Sequence, residues 1–161
     1  MLGTVYGFSV PQQNTHTDFQ GVTLAALHRD KVAVTCLPAD ERSGADGPLW
    51  TLPHLGRVEG RSPAETALLL AEEVLGFALP VTRLNWPILC APPAAAPDLP
   101  PTWFFAAWLS PLEWEVLSRD GGPRNALMIG VDVYLRATTV LPEQQASLRQ
   151  YLSQSRSAPQ A

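Results

Sequence analysis

The stretch from Trp50 to Phe77 reads WTLPHLGRVEGRSPAETALLLAEEVLGF and holds the best-marked element of the chain. Ser62 is placed to cap a helix that Pro63 can open, since a first helical residue leaves its N–H unused. Glu65 stands three residues after Ser62 and completes a capping box. Residues 64–75 are good helix formers, and Gly76 supplies the left-handed residue that commonly ends a helix. The spacing predicts a helix over Ala64–Leu75. At about 100° per residue, Ala64, Ala67, Leu68, Ala71 and Leu75 gather on one side, the expected core face. Thr66, Leu69, Leu70, Glu73 and Val74 gather on the other, with Glu65 and Glu72 in the seam. Two apolar sides predict a helix covered on both.

Ahead of this stretch, Val22–Leu27 and Val32–Leu37 are apolar runs separated by His28-Arg29-Asp30-Lys31, the pattern of a β-hairpin. Thr4–Val10 is β-prone, Pro38–Pro48 is a loop, and Leu49–Leu52 is a short apolar piece. After Gly76, Val81–Ala91 reads as extended. Ala91–Pro101 (APPAAAPDLPP) is too rich in proline for a helix or a central strand, so an exposed loop is expected. Trp103–Leu109 reads as a strand whose consecutive Trp103, Phe104 and Phe105 must face both sides of a sheet. The ring turned away from the main core could stack a base, line an interface or pack under the Pro-rich loop; packing and interfaces are the commoner settings. Pro111–Ser118 fits a helical turn or a strand, Arg119–Asn125 is turn chemistry, and Ala126–Arg136 alternates like a strand. Pro142 opens a last helix with Leu141, Leu148, Tyr151 and Leu152 on one face, and Ser153–Ala161 reads as a frayed tail. Strands interleaved with two helices predict an α/β or α+β sandwich in one domain, residues 1–161.

Composition narrows the function classes. The chain has 161 residues, a formal charge of −4 and only 16% charged side chains. Its cations are arginines apart from Lys31, and acids outnumber them. A face that neutralises many phosphates needs dense positive charge, so nucleic-acid binding is not expected. Cys36 and Cys90 lack the spacing of a zinc site and read as small buried hydrophobes. Met1–Val10 has neither a basic nor a long apolar segment, and no run approaches a membrane span, so the expected setting is cytoplasmic.

Leu55–Phe77 resembles a degenerate Nudix box, the loop–helix–loop signature of the Nudix hydrolase superfamily, G-x5-E-x7-R-E-U-x-E-E-x-G-U with U aliphatic. Trp50-Thr51-Leu52-Pro53 resembles the aromatic-x-Leu-Pro lead-in, and Gly76-Phe77 matches the end. The resemblance implies a Nudix-type α/β/α sandwich, with a mixed sheet between the box helix and a C-terminal helix. In that family the box acids hold Mg²⁺ or Mn²⁺ against a pyrophosphate, an oxygen-rich site that neutralises phosphate charge. Here Leu55 stands at the opening Gly, Arg61 at the first Glu, Leu69-Leu70 at Arg-Glu and Val74 at the last Glu. Glu73 alone is kept. Sliding the register to pair Glu72 with Glu73, or deleting a residue to bring in Glu59, does not recover the set.

One carboxylate among Leu and Val compensates poorly for dehydrating a divalent cation. The expectation is a Nudix-like protein without pyrophosphohydrolase activity and without a cofactor, with Glu73 at best a weak metal ligand. Its occupant would be a nucleotide-like small molecule, a protein partner or a second copy of the chain. Arg61, His54 and Glu73 are the candidate ligand-binding residues; a solvated arginine and an idle loop histidine are the plainer readings of the first two. His16 and His28 read as surface residues. The alternative is a divergent Nudix hydrolase acting on nucleoside diphosphate derivatives through Glu59, Glu72 and Glu73 with Mg²⁺ or Mn²⁺.

Overall fold

The computed structural model describes residues 18–37, 49–90, 92 and 97–157. The expectations for Thr4–Val10, His16, Pro38–Pro48, Ala91 and residues 93–96 lie outside the described residues. The predicted hairpin is present: β1 (Gly21–His28) and β2 (Lys31–Leu37) are antiparallel, in register Leu27↔Val32 and His28↔Lys31. β3 (Leu49–Thr51) extends β2, and β4 (His54–Gly56) pairs with the start of β1. β5 (Asn85–Cys90) and β6 (Thr102–Trp108) lie on the other side of β1. β7 (Leu127–Gly130) pairs with β2. The order is β3-β2-β1-β6-β5, and the β1–β6 contact alone is parallel, so the sheet is mixed.

The central parallel pair is apolar on both faces, as a doubly covered strand must be. Val22, Leu24 and Ala26 of β1 join Trp103, Phe105 and Ala107 of β6 in one core, against helix α1 (Pro63–Leu75). Ala25, Leu27, Phe104 and Ala106 enter a second core with Tyr134, Leu148 and Tyr151. Leu148 and Tyr151 belong to the C-terminal helix α4 (Pro142–Ser157). The Trp103-Phe104-Phe105 run thus divides between the cores, and Phe104 lies under α4 against Tyr151, ring centroids 6.2 Å apart. The architecture is the expected α/β/α sandwich.

Helix α1 begins and ends as its sequence dictates. The Ser62 side chain accepts from the Glu65 N–H, the Glu65 side chain accepts from the Ser62 N–H, and Gly76 closes the helix at φ 84°. The predicted division of its faces is wrong. Thr66, Ala67, Leu70, Ala71, Val74 and Leu75 are buried together, while Ala64 and Leu68 are half-buried. One broad apolar stripe faces the sheet, with Leu70 and Val74 inside it, because large aliphatic side chains contribute more burial than the alanines.

Helix α2 (Pro111–Asp120) resolves the ambiguous segment: Ser110, Pro111, Glu113 and Gly121 repeat the capping grammar of α1. Arg119 and Asp120 close that helix, so the turn starts at Gly121. The strand predicted over Ala126–Arg136 stops at Gly130. There the Val131 N–H bonds to the Asp30 carbonyl, and helix α3 (Val131–Arg136) begins. Val131 and Tyr134 are buried at helical spacing, whereas Val133 is 48% exposed, which defeats the alternation. Val81–Arg83 is a 3₁₀ turn ahead of β5, and Pro87 is tolerated there because β5 is an edge strand. The C-terminal helix runs on to Ser157, beyond the predicted start of the tail. Cys36 is exposed and Cys90 half-buried, so neither is the fully buried hydrophobe expected. His28 is half-buried: its Nδ1 meets the Leu109 carbonyl at 3.0 Å and its ring stacks on Trp114.

Candidate functional site

The flank of α1 that bears Glu73 is closed from above. Gly121 and Gly122, both at positive φ, carry the chain from α2 across the end of α1. A Cβ on Gly122 would lie 2.3 Å from the Val74 carbonyl oxygen, so only glycine permits this approach. The turn is held by the Gly121 N–H to Leu117, the Ala126 N–H to Gly121 and the Asn125 N–H to Gly122. It delivers Arg124 onto Glu73. The guanidinium donates to Glu73 Oε1 at 2.6 Å and to the main-chain carbonyl of His54 at 3.0 Å. Leu70 and Val74, two of the positions where the family pattern has acids, have no solvent exposure. A fixed organic cation therefore sits on the one retained carboxylate and ties it to β4. Arginine suits this role, since its planar fork makes two directed charge-assisted bonds.

On the opposite face of the sheet there is a cleft of about 300 Å³. Register places Gly21, Thr23, His54 and Thr102 on one side, because Gly21 pairs with Thr102 and Thr23 with His54. This is the side of Phe104 and Ala25, so the second core turns polar at its end. Cys90 of β5 and Ser147 of α4 close the cleft, their Sγ and Oγ 2.8 Å apart. Thr23 Oγ1 lies 3.3 Å from His54 Nδ1. Burial, with the Arg124 charge in addition, holds the His54 pKa below 6.5, although the ring edge remains open to water. The imidazole is therefore neutral at pH 7. Burial pushes the Cys90 thiol up, and its bond to Ser147 only partly opposes this, so the sulfur is no ready nucleophile.

The predicted site residues are brought together only in part. Glu73 and the His54 carbonyl meet through Arg124, and the His54 ring belongs to the cleft. Arg61 lies elsewhere, in a shallow depression with Glu65, Leu68, Leu69 and Glu72. Glu59 is exposed in the turn before Gly60. Among the described residues, no three of the His, Cys, Asp and Glu side chains gather as a metal-binding group.

No protein-family pattern and no curated protein sequence matches the chain. Solved structures do match. A mutT/nudix family protein from Listeria innocua superposes with a TM-score of 0.63 at 13% identity, covering 86% of this chain and 92% of that one. The chain has the Nudix fold. A NUDIX hydrolase from Nitrosomonas europaea superposes with a TM-score of 0.55 at 16% identity, covering 83% of this chain and 89% of that one. The C-terminal domain of mouse MUTYH, determined in complex with human PCNA, gives 0.59 at 15% identity, with 88% and 92% covered. Among the described residues, no helix of this Nudix-fold protein is long and apolar enough to cross a membrane.

Sequence reasoning missed Arg124, Thr23 and Thr102. Arg124 read as turn chemistry, and nothing local connects it with a glutamate 51 residues earlier. The threonines did leave a signal: hydroxyls at inward positions of otherwise apolar strands.

Proposed function

We propose that this Nudix-fold protein acts by binding a small molecule and does not hydrolyse pyrophosphates through a bound metal. The observation that carries this reading is the Arg124 guanidinium on Glu73 and the His54 carbonyl. A divalent cation at Glu73 would have to displace that guanidinium or accept its charge at close range, and like charges a few ångströms apart repel strongly. It would also find Leu70 and Val74 where further carboxylates are needed. The cleft of about 300 Å³ beside His54 is the binding site in this reading; its size is at the lower end for small-molecule pockets. The scatter of Glu59, Glu72 and Glu73 counts against the divergent-hydrolase alternative.

The test is turnover of a panel of nucleoside diphosphate derivatives with Mg²⁺ and with Mn²⁺, in wild type and in Glu73→Gln. The expected result is no metal-dependent turnover by either protein. Turnover by wild type that Glu73→Gln abolishes would overthrow the proposal.

A further inference from the structure

The charge and bonding of the cleft define its occupant more narrowly than the fold does. Arg124 is absent from its lining and already committed to Glu73. No lysine or arginine lines it, and its histidine is held neutral by burial and by Arg124. The one ionised side chain on the rim is Glu143. A phosphate moved here would lose water, gain no cation and face a carboxylate, three effects of the same sign.

What the cleft offers instead is hydrogen bonding between apolar walls. Several of its polar groups are already engaged: Gln144 brackets the Leu52 main chain, Ser147 donates to the Glu143 carbonyl, and Thr51 meets Thr35. Three are not. Among the described residues, the Thr102 hydroxyl, the Glu143 carboxylate and His54 Nε2 have no hydrogen-bond partner. Leu141 and Pro92 supply apolar contact beside them. Gly21 forms an open floor: a Cβ there would lie 2.6 Å from the Leu55 carbonyl and 2.9 Å from the His54 ring. Acceptors and a hydroxyl set between apolar walls match the edge and faces of a flat heterocycle carrying N–H groups.

We propose that the cleft beside His54, Thr102 and Glu143 takes an uncharged N–H-bearing heterocycle of the nucleoside class and rejects its phosphorylated forms. This rests on the reading that the protein binds without hydrolysing. The selection runs against the charged substrates that the box resemblance implies.

The experiment is calorimetry and thermal shift in EDTA with the four common ribonucleosides and their 5′-mono- and diphosphates. At least one nucleoside should bind, and its diphosphate should bind about tenfold more weakly or worse, the scale set by one uncompensated like charge nearby. Glu143→Gln should narrow that gap, and Thr102→Val should weaken the nucleoside severalfold. Glu143 is exposed, so its variant tests the site even if Thr102→Val folds poorly. A diphosphate that binds as tightly as its nucleoside, or no nucleoside binding at all, overturns the inference. So does nucleoside binding that neither variant alters, because the site would then lie elsewhere. Each of these leaves the absence of turnover standing; metal-dependent hydrolysis overturns the proposed function whatever the order of affinities.

Discussion

Removing the Arg124 guanidinium separates a structural cation from an incidental surface contact. Arg124→Ala deletes two charge-assisted bonds, at 2.6 Å to Glu73 and 3.0 Å to the His54 carbonyl. The side chains of the pair are 30% and 39% exposed, between a solvated surface pair and a buried one. Exposed pairs contribute about 0.2–1 kcal/mol, and breaking a buried pair costs about 3–5 kcal/mol. The coupling in a double-mutant cycle with Glu73→Ala should be about 1 kcal/mol, near the top of the exposed range. Arg124→Ala alone, which also orphans the His54 carbonyl, should cost about 2 kcal/mol and lower Tm by roughly 4–8 °C. Urea unfolding of wild type, both single variants and the double variant measures the coupling. High salt should reduce it only in part, since the pair is half-shielded from water. A coupling within about 0.3 kcal/mol of zero would refute the reasoning, because the guanidinium would then not rest on Glu73 in solution.

Three further outcomes follow from the same geometry. Gly122→Ala should destabilise by more than about 2 kcal/mol in chemical denaturation, since its Cβ would strike the Val74 carbonyl at 2.3 Å and its φ is +68°. Leu70→Glu restores a family acid in name, yet it puts a charge at a position with no solvent exposure; thermal melts should show loss of cooperative folding rather than a gain in Mn²⁺ affinity. His54 should titrate below 6.5 by NMR, and Arg124→Ala should move its midpoint upward but leave it below 6.5, because burial is the larger cause. As pH falls the unfolded chain takes up the His54 proton first. The stability contribution of His54 is therefore complete above 6.5 and declines as pH drops from there through the folded midpoint.

Local grammar made the helices readable. Ser62, Pro63, Glu65 and Gly76 declare α1 because each satisfies a backbone requirement within a few residues. The same signature at Ser110, Pro111, Glu113 and Gly121 declares α2, although the mixed composition of that segment obscured it. Reading failed where tertiary contacts decide. Val131, Val133 and Leu135 alternate like a strand, yet pairing with β2 runs out at Gly130 and the chain turns helical. The faces of α1 were misdrawn because periodicity finds an apolar arc and does not say which part of it meets the sheet. The loss of the box acids was plain from the sequence at Leu70 and Val74. Their burial, and the arginine on Glu73, depend on a turn brought in from 51 residues away. The polar cleft arises likewise from strands and a helix far apart in the chain, and no single segment announces it.

The most direct measurement is a crystal of the wild-type protein soaked with Mn²⁺ and examined for anomalous scattering beside Glu73. The account predicts no ordered ion there and the Arg124 guanidinium still within hydrogen-bond distance of the carboxylate. An ordered Mn²⁺ held by Glu73 and further carboxyl oxygens of this chain, with Arg124 turned away, would contradict it.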